Sequence, residues 1–394
     1  MPRPTSFHPR TASLCKSYAW KEWAGFLAVK HYGACGEPEY QAFRHGTGLL
    51  DVSPLYKYVV GGPDAARWLS WVFCRDVTRL KPGRVTYSCF TDTRGHVIDD
   101  GTIARLDEDR YRITTASPAL PWFLDHAEGF QVSIEDVSER IAALAVQGPS
   151  SRAVLADVTD GDVVGLRFFH VQPARIGDVD VEISRTGYTG DLGYEVWIPS
   201  DRALDVWDAI VGAGKHHALS PCGLDALDIT RVEAGFILHD VDYFSALRAQ
   251  VDSRKSTPFE IGLSWTVQLD RDPFIGQAAL RAAARNPKWT FVGLEIDWLE
   301  LEELYEAVRL PPHLPAAAWR TPLPVYAGRA QVGQATSGTW SPLLKRNLAL
   351  ASVESGCASI GTRLRIEQTV EYRRHKVTAT VVHRPFFDPD RKRS

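Results

Sequence analysis

Two short stretches of this chain hold residue types able to do chemistry. The first is Thr186-Gly187-Tyr188-Thr189-Gly190-Asp191-Leu192-Gly193-Tyr194-Glu195, directly after a strand-like run at 179–184. Glycine allows positive φ and close backbone approach, so a loop this rich in it can wrap a flat ligand. Tyrosine offers a stacking face, and an ionised glutamate can accept two parallel N–H donors from one heterocycle edge. Tyr188 and Glu195 together therefore suit an aromatic ring system with an amidine-like edge, such as a pterin. The competing reading is a glycine hairpin around a core tyrosine. The second stretch is Asp99-Asp100, preceded by Gly95-His96-Val97-Ile98. Adjacent residues on a strand point to opposite faces, so one of the two carboxylates is expected to face a pocket. There it can steer protons and stabilise developing positive charge. The alternative is a solvated strand end.

Length and composition bound what such residues belong to. A chain of 394 residues exceeds what one hydrophobic core usually supports, so two or three domains are expected. A formal net charge of −3 gives no electrostatic case for nucleic acid or an anionic membrane, and the one dense basic run is Arg391-Lys392-Arg393. No apolar run approaches bilayer length, and the segment with Arg3, His8, Pro9 and Arg10 lacks the apolar core of a secretory signal. The six cysteines are scattered with no C-x-x-C pair, which argues against a zinc site and a disulfide scaffold. A cytoplasmic enzyme with reduced thiols and no metal is the expectation. The 12 tryptophans are numerous, and Trp20, Trp23, Trp68 and Trp71 are core candidates, some able to line a pocket for a flat substrate.

The elements that must position these residues alternate along the chain. Residues 14–34 read as a loop and strand, 37–46 as a short helix and 56–60 as a strand closed by Gly61-Gly62. A helix begins at Pro63-Asp64, with Ala65, Leu69, Val72 and Phe73 near a period of 3.6. Strands are expected at 85–91, 97–98, 111–115 and 141–146, and a helix at 150–156. After the glycine-rich stretch come helices at 203–211, 223–234, 275–284 and 301–308. Beyond Pro311-Pro312, short strands at 325–326, 348–353, 363–366 and 377–382 point to a small β-rich terminal domain. The class is α+β, with no dinucleotide fingerprint.

Taken in order, several blocks resemble the glycine-cleavage T-protein (aminomethyltransferase) superfamily of tetrahydrofolate-dependent one-carbon transferases. They are Glu39-Tyr40-Gln41-Ala42-Phe43-Arg44, Asp51-Val52-Ser53, Gly95 through Asp100, Val146-Gln147-Gly148-Pro149, the Thr186 to Glu195 stretch, Pro221-Cys222-Gly223-Leu224, Arg231-Val232-Glu233-Ala234-Gly235, Phe274-Ile275-Gly276 and Ser337-Gly338-Thr339-Trp340-Ser341-Pro342. The resemblance implies three domains around a central cavity that holds the folate, ending in a small β-barrel. It divides the chain into residues 1–58 plus 141–232, residues 59–140 plus 233–285, and residues 286–394. It implies that tetrahydrofolate or 5,10-methylenetetrahydrofolate is the cofactor and that Asp99 is the catalytic carboxylate. Tyr188 and Glu195 match pterin-contacting positions, Arg231 a folate-contacting arginine and Tyr87 a pocket position. For Tyr188 a buried core role competes with this, and for Arg231 a salt bridge to Glu233 or a nearby aspartate does.

The chain also departs from the glycine-cleavage enzymes. Pro54-Leu55 stands where they carry His-Met, Gly95-His96 where Gly-Gly is usual, and the segment 297–319 is longer. These changes fall on the substrate side. They favour the superfamily's folate-dependent demethylases and make a carrier protein unlikely as partner, though not excluded. His96, Tyr58, Lys57 and Trp20 are candidates for a pocket that holds a small methylated or amino substrate, with His96 able to protonate a leaving group. Two alternatives stand beside this: a glycine-cleavage aminomethyltransferase, and a non-catalytic folate-binding helper of iron–sulfur assembly. The helper branch carries a Lys-Gly-Cys-x-x-Gly-Gln-Glu signature that this chain lacks.

Overall fold

Period-two alternation of apolar side chains builds two sheets and a barrel in the computed structural model, which describes residues 1–394. The first sheet has seven strands, in the order Thr159–Asp160, Val171–Ile176, Val179–Ser184, Gly193–Pro199, Ile141–Gln147, Thr47–Asp51 and Leu219–Pro221. Along Gly193–Pro199, Tyr194, Val196 and Ile198 join a core with Val154 and Leu155 of helix Ser151–Val158 and with Val206, Trp207 and Ile210 of helix Ala203–Gly214. On the opposite face Trp197 packs with Tyr40 and Phe43 of helix Glu37–His45 and with Ala226 and Ile229 of helix Leu224–Glu233. Glu195 shares that second face by alternation.

The second sheet has five strands, in the order Arg84–Thr91, Val97–Asp107, Arg110–Thr115, Tyr56–Gly61 and Ser133–Asp136. Its core sets Tyr58, Ile103 and Ile113 against Trp68, Leu69 and Phe123. Residues 289–382 supply a closed barrel of strands Trp289–Ile296, Arg346–Glu354, Ala330–Ser341, Leu323–Ala327, Arg363–Val370 and Arg373–Val382. Small and branched residues such as Leu294, Ala335, Ala351, Ile366 and Val377 fill it. The expected α+β architecture with a C-terminal barrel is present. At the N-terminus the chain differs from expectation: helix His8–Leu14 precedes a hairpin of Ala19–Trp23 and Phe26–His31, turned by Ala24 and Gly25 at positive φ. No helix is long and apolar enough to cross a membrane.

Helix Leu224–Glu233 connects these parts. Eight of its ten residues are buried, among them Asp228, Arg231 and Glu233. Charges taken out of water must be paired and hydrogen-bonded, and these are. Glu233 accepts from Tyr40 Oη at 2.6 Å, from Arg44 Nε and Nη2 at 2.9 and 2.6 Å, and from Ser341 Oγ at 2.5 Å. Its backbone carbonyl accepts from the Phe386 and Phe387 N–H groups. One residue thus ties an N-terminal helix, a barrel strand and the segment after the barrel together. Asp242 repeats the arrangement, accepting from Arg231 at 2.7 Å and from Thr336 and Ser337 of the barrel at 2.5 and 2.9 Å.

Breaking such a pair leaves an uncompensated buried charge. Arg44→Met is expected to cost about 3–5 kcal/mol, read as a lower midpoint of chemical denaturation. An unchanged midpoint would show that the pair contributes nothing.

Candidate functional site

Asp99 and Asp100 lie on strand Val97–Asp107, beside an irregularity in its pairing. Phe90 pairs with Asp99 but Thr91 pairs with Val97, so Ile98 is an extra residue and the strict alternation of faces breaks there. Asp99 and Asp100 themselves keep consecutive pairings, with Phe90 and Cys89, and both reach the phenol of Tyr243. Tyr243 Oη is 3.2 Å from Asp99 Oδ1 and donates to Asp100 Oδ1, while Tyr87 Oη donates to Asp100 Oδ2. Tyr87 pairs with Thr102, which makes Asp100 its diagonal neighbour on the same face. Asp99 is fully buried and accepts the Ser117 and Asp100 N–H groups, each at 2.8 Å.

Burial pushes the Asp99 carboxyl up to about 7; nearby His239 pulls it down and Asp100 pushes it further up. Burial raises both tyrosines as well, and Asp100 adds to the effect. The cluster is therefore a hydrogen-bonded acid pair with two neutral phenols donating into it. Asp100 is the less buried of the two carboxylates.

The glycine-rich stretch is organised differently from a loop wrapped on a ligand. A Cβ on Gly187 or Gly193 would lie 2.0 or 2.1 Å from Gln147 Oε1. The close approach that these glycines permit is to the Gln147 amide, which donates to the Thr186 and Tyr194 carbonyls at 3.1 and 2.9 Å and accepts from Thr189 Oγ1 at 3.0 Å. The loop is pinned from beneath by one side chain. Above it, Glu195 Oε2 accepts from Thr186 Oγ1 at 2.5 Å, and no protein donor reaches Oε1. Burial raises the Glu195 carboxyl; Thr186 and Arg112 oppose this. Tyr188 stacks on Phe236 at 5.6 Å and donates to the Ile237 carbonyl. Burial raises its phenol, with Arg231 opposing.

Arg112, from the five-stranded sheet, lies over Trp197 at 4.0 Å and pairs with Glu182, so it links the two sheets beside Glu195. Arg231 takes the salt-bridge role that competed with folate contact, though its partners are Asp228 at 2.8 Å and Asp242 at 2.7 Å rather than Glu233. Its Nη2 is buried without a protein partner. One N–H edge of the guanidinium is thus left for something else.

Four of the residues expected to hold substrate do not join the Asp99–Asp100 cluster. Trp20 packs with Cys15, Val29 and Tyr32 in the N-terminal hairpin. Lys57 is fully buried and donates to the Ser53 and Leu55 carbonyls at 2.7 and 2.6 Å, capping a turn; burial lowers it to about 7, with Asp51 opposing. Tyr58 is a core residue that packs edge-on to Phe123, and its hydroxyl accepts the Ala119 N–H at 2.8 Å. It supports the turn that carries Ser117. His96 sits in the preceding turn, its Nδ1 3.5 Å from Asp92 Oδ2 and its N–H donating to Asp92 Oδ1. In their place the fold brings Asp100, Ser117, His239 and Tyr243 to Asp99. A pointer existed for two of these. His239 and Tyr243 stand just past the Arg231 to Gly235 block, but nothing in their spacing marks them as chemical.

The same architecture occurs in known proteins. The model of the GCVT N-terminal domain matches residues 3–271, and that of the glycine cleavage T-protein C-terminal barrel domain matches residues 309–388. The chain belongs to the glycine-cleavage T-protein family. An aminomethyltransferase of Streptomyces coelicolor is 34% identical over 86% of the chain and 87% of its own length. The aminomethyltransferase of Bacillus subtilis is 35% identical over 89% of the chain and 90% of its own length. A trimethylamine-oxide aldolase of Ruegeria pomeroyi is 34% identical over 100% of the chain, which spans only 48% of that protein. The crystal structure of the glycine cleavage system aminomethyltransferase T from Bartonella henselae superposes with a TM-score of 0.83 over 98% of the chain and 99% of its own, at 24% identity, and shares the fold. The family is folate-dependent, and its named members here are mostly aminomethyltransferases.

The Asp99 carboxyl gives a pH-dependent test. Its folded value near 7 lies above the roughly 3.9 of an unfolded aspartate. Between these values the folded chain binds more protons than the unfolded one, so this contribution to stability falls as pH rises through the interval. Below it both states are protonated and the penalty vanishes. Asp99→Asn is therefore expected to raise the calorimetric melting temperature relative to wild type at pH 8, with the difference closing below about pH 4. A difference independent of pH would contradict the raised carboxyl.

Proposed function

We propose that the chain is a tetrahydrofolate-dependent one-carbon transferase acting on a small methylated or amino substrate, in the manner of a demethylase. The observation that carries this reading is the pairing of a buried carboxylate cluster, Asp99 and Asp100 with Tyr87 and Tyr243, with a glycine-pinned loop presenting Glu195 and Tyr188. The residues fit a folate. Glu195 Oε1 has no protein donor, as an edge-reading acceptor requires, and Arg231 Nη2 is a buried donor without a partner, suited to a carbonyl or carboxylate. Bound there, tetrahydrofolate would supply the nitrogen nucleophile that takes up or hands over the carbon.

The chain's own residues have separate tasks in this reading. Thr186 orients Glu195 through its hydroxyl, and Tyr188 walls the ring beside Phe236. Asp100, held by two phenol donors, orients the reacting nitrogen or stabilises positive charge on it, and Asp99 behind it stores or releases a proton. Holding both reactants in one cavity supplies much of the rate. This reassigns the carboxylate nearest the reaction from Asp99 to the less buried Asp100.

The substrate class is supported by two features. Trp265 is 57% exposed and stacks on Tyr87 at 5.6 Å, an aromatic wall next to Asp100 of the kind that receives methylated cations. The trimethylamine-oxide aldolase aligns with the whole chain. The second reading, transfer of an aminomethyl group, is supported by the aminomethyltransferase relatives, which align along nearly their full length.

Calorimetric titration is expected to show tetrahydrofolate binding, weakened roughly 10- to 100-fold in Glu195→Ala, the loss expected for hydrogen bonds to a charged acceptor. Asp100→Asn is expected to bind folate and lose turnover. Screening methylated amines, sulfonium compounds and aryl methyl ethers, with 5-methyl- and 5,10-methylene-tetrahydrofolate measured separately, distinguishes demethylation from aminomethyl transfer. A chain that binds no tetrahydrofolate overturns the reading.

A further inference from the structure

His239 stands between the buried carboxylate pair and the surface. Its side chain is 6% exposed, with Nε2 4.0 Å from Asp99 Oδ1 and 3.1 Å from Ser117 Oγ. Ser117 also donates its N–H to the other Asp99 oxygen, so Asp99 and His239 share it as a neighbour. On the outer side, His239 Nδ1 is 3.4 Å from Asp240 Oδ1. The Asp240 carboxylate is 44% exposed and pairs with Arg248 at 2.7 Å, and Arg248 donates to Ser117 Oγ at 2.9 Å. Tyr243 meets the imidazole edge-on at 5.2 Å and donates to Asp100, its oxygen lying 3.2 Å from Asp99 Oδ1. The charged and titratable groups that face His239 are therefore Asp99, Asp100, Asp240, Arg248 and Tyr243.

Asp99 has no exposed surface, yet an acid–base group must return to its starting protonation state after each turnover. Backbone amides at Ser117 and Asp100 cannot carry that proton, and the Tyr243 phenol is held protonated by burial and by the two carboxylates. Imidazole is the neighbour able to gain and lose a proton near neutral pH. Resting on the reading of Asp99 and Asp100 as the acid–base pair, we propose that His239 is the positioning residue through which this pair exchanges its proton with solvent.

In the outward step the Asp99 carboxylic acid gives its proton to Nε2 of a neutral imidazole as the 4.0 Å gap between them closes. The imidazolium then releases its Nδ1 proton to Asp240 or to water, leaving Asp99 ionised and the ring neutral. The inward step is the reverse: Nδ1 takes a proton from Asp240 or water as Nε2 returns its own to Asp99, and this restores the tautomer. Burial lowers the imidazole's proton affinity, but Asp240 and Asp99 outweigh that and raise it. The cation is thus accessible at the moment of transfer.

Two measurements test the relay. In imidazole nitrogen NMR of the intact chain, the His239 titration is expected to shift to lower pH in Asp99→Asn, because a facing negative charge is gone. A titration unmoved by that substitution overturns the proposal. In turnover assays with the carbon donor found by screening, His239→Gln is expected to keep tetrahydrofolate binding, to lose on the order of 10²-fold in kcat, and to regain activity on addition of free imidazole. Turnover close to wild type, or a loss that imidazole does not restore, also overturns it. If the wild-type chain binds no folate, the folate reading fails while the NMR titration still decides the coupling of His239 to Asp99.

Discussion

The structure depends on Glu233 being buried and fully partnered. Three elements distant in sequence, helix Glu37–His45, the end of strand Ala330–Ser341 and the segment at Phe386-Phe387, meet at its carboxylate and carbonyl. Removing such a charge from water costs several kcal/mol, and only a complete set of donors offsets it. The set is complete only when the three elements are in place together. Specificity of assembly follows: a shifted barrel or a displaced helix would strand either the glutamate or Arg44. The same logic governs Arg231 between Asp228 and Asp242, two residues earlier on the helix. The central helix therefore carries little apolar amphipathicity and is buried all round, which is tolerable only because its polar groups are the joints of the molecule.

These joints determine where the carboxylate cluster can sit. Residues after the central helix, from Ile237 to Tyr243, share a core with Cys89 and Val97 of the five-stranded sheet and with Leu348 and Leu350 of the barrel. That shared core presses Tyr243 and His239 onto the bulged strand at Asp99 and Asp100. The Tyr243 phenol reaches both consecutive aspartates, and two carboxyl groups this close cannot both comfortably ionise. The rise of Asp99 is therefore a consequence of packing rather than of any single partner. The fold invests stability in keeping a proton there.

Much of the frame could be read from the chain. Alternation and turn residues placed four of the five strands of the second sheet but only those at 141–147 and 179–184 in the first, and the helices at 37–46, 203–211 and 223–234 fall within a residue or a few of those observed. The barrel is visible as a β-rich end, but two of its strands, Trp289–Ile296 and Ala330–Ser341, lie outside the expected ones; the second carries Gly333, Gly338 and a polar run around Thr336. Those small residues exist because Trp319 and the facing backbone crowd Gly338 and Gly333. The site was less legible. Asp99, Glu195 and Tyr188 stood in recognisable blocks, whereas Lys57, Tyr58 and Trp20 look chemical by residue type and are held by core contacts instead. Local sequence cannot distinguish a lysine that caps a turn from one that faces a ligand. His239 was missed for the converse reason, because its partners are 122 and 140 residues away.

The glycine-rich loop shows how one stretch serves the frame and the site at once. Its glycines answer to Gln147, whose amide fills the space any Cβ would need, so the loop's shape is set from below and is independent of a ligand. That independence gives it value as a recognition surface. A preformed loop loses little conformational entropy on binding, and Glu195 arrives with one oxygen already occupied by Thr186. In the proposed reading substrate choice falls to Tyr87 and the exposed Trp265, which stand beside Arg75. On that reading a larger or smaller residue in place of Trp265 would alter which carbon donor fits without disturbing Gln147 or Glu233. One frame can in this way keep its cofactor side constant while its substrate side diverges.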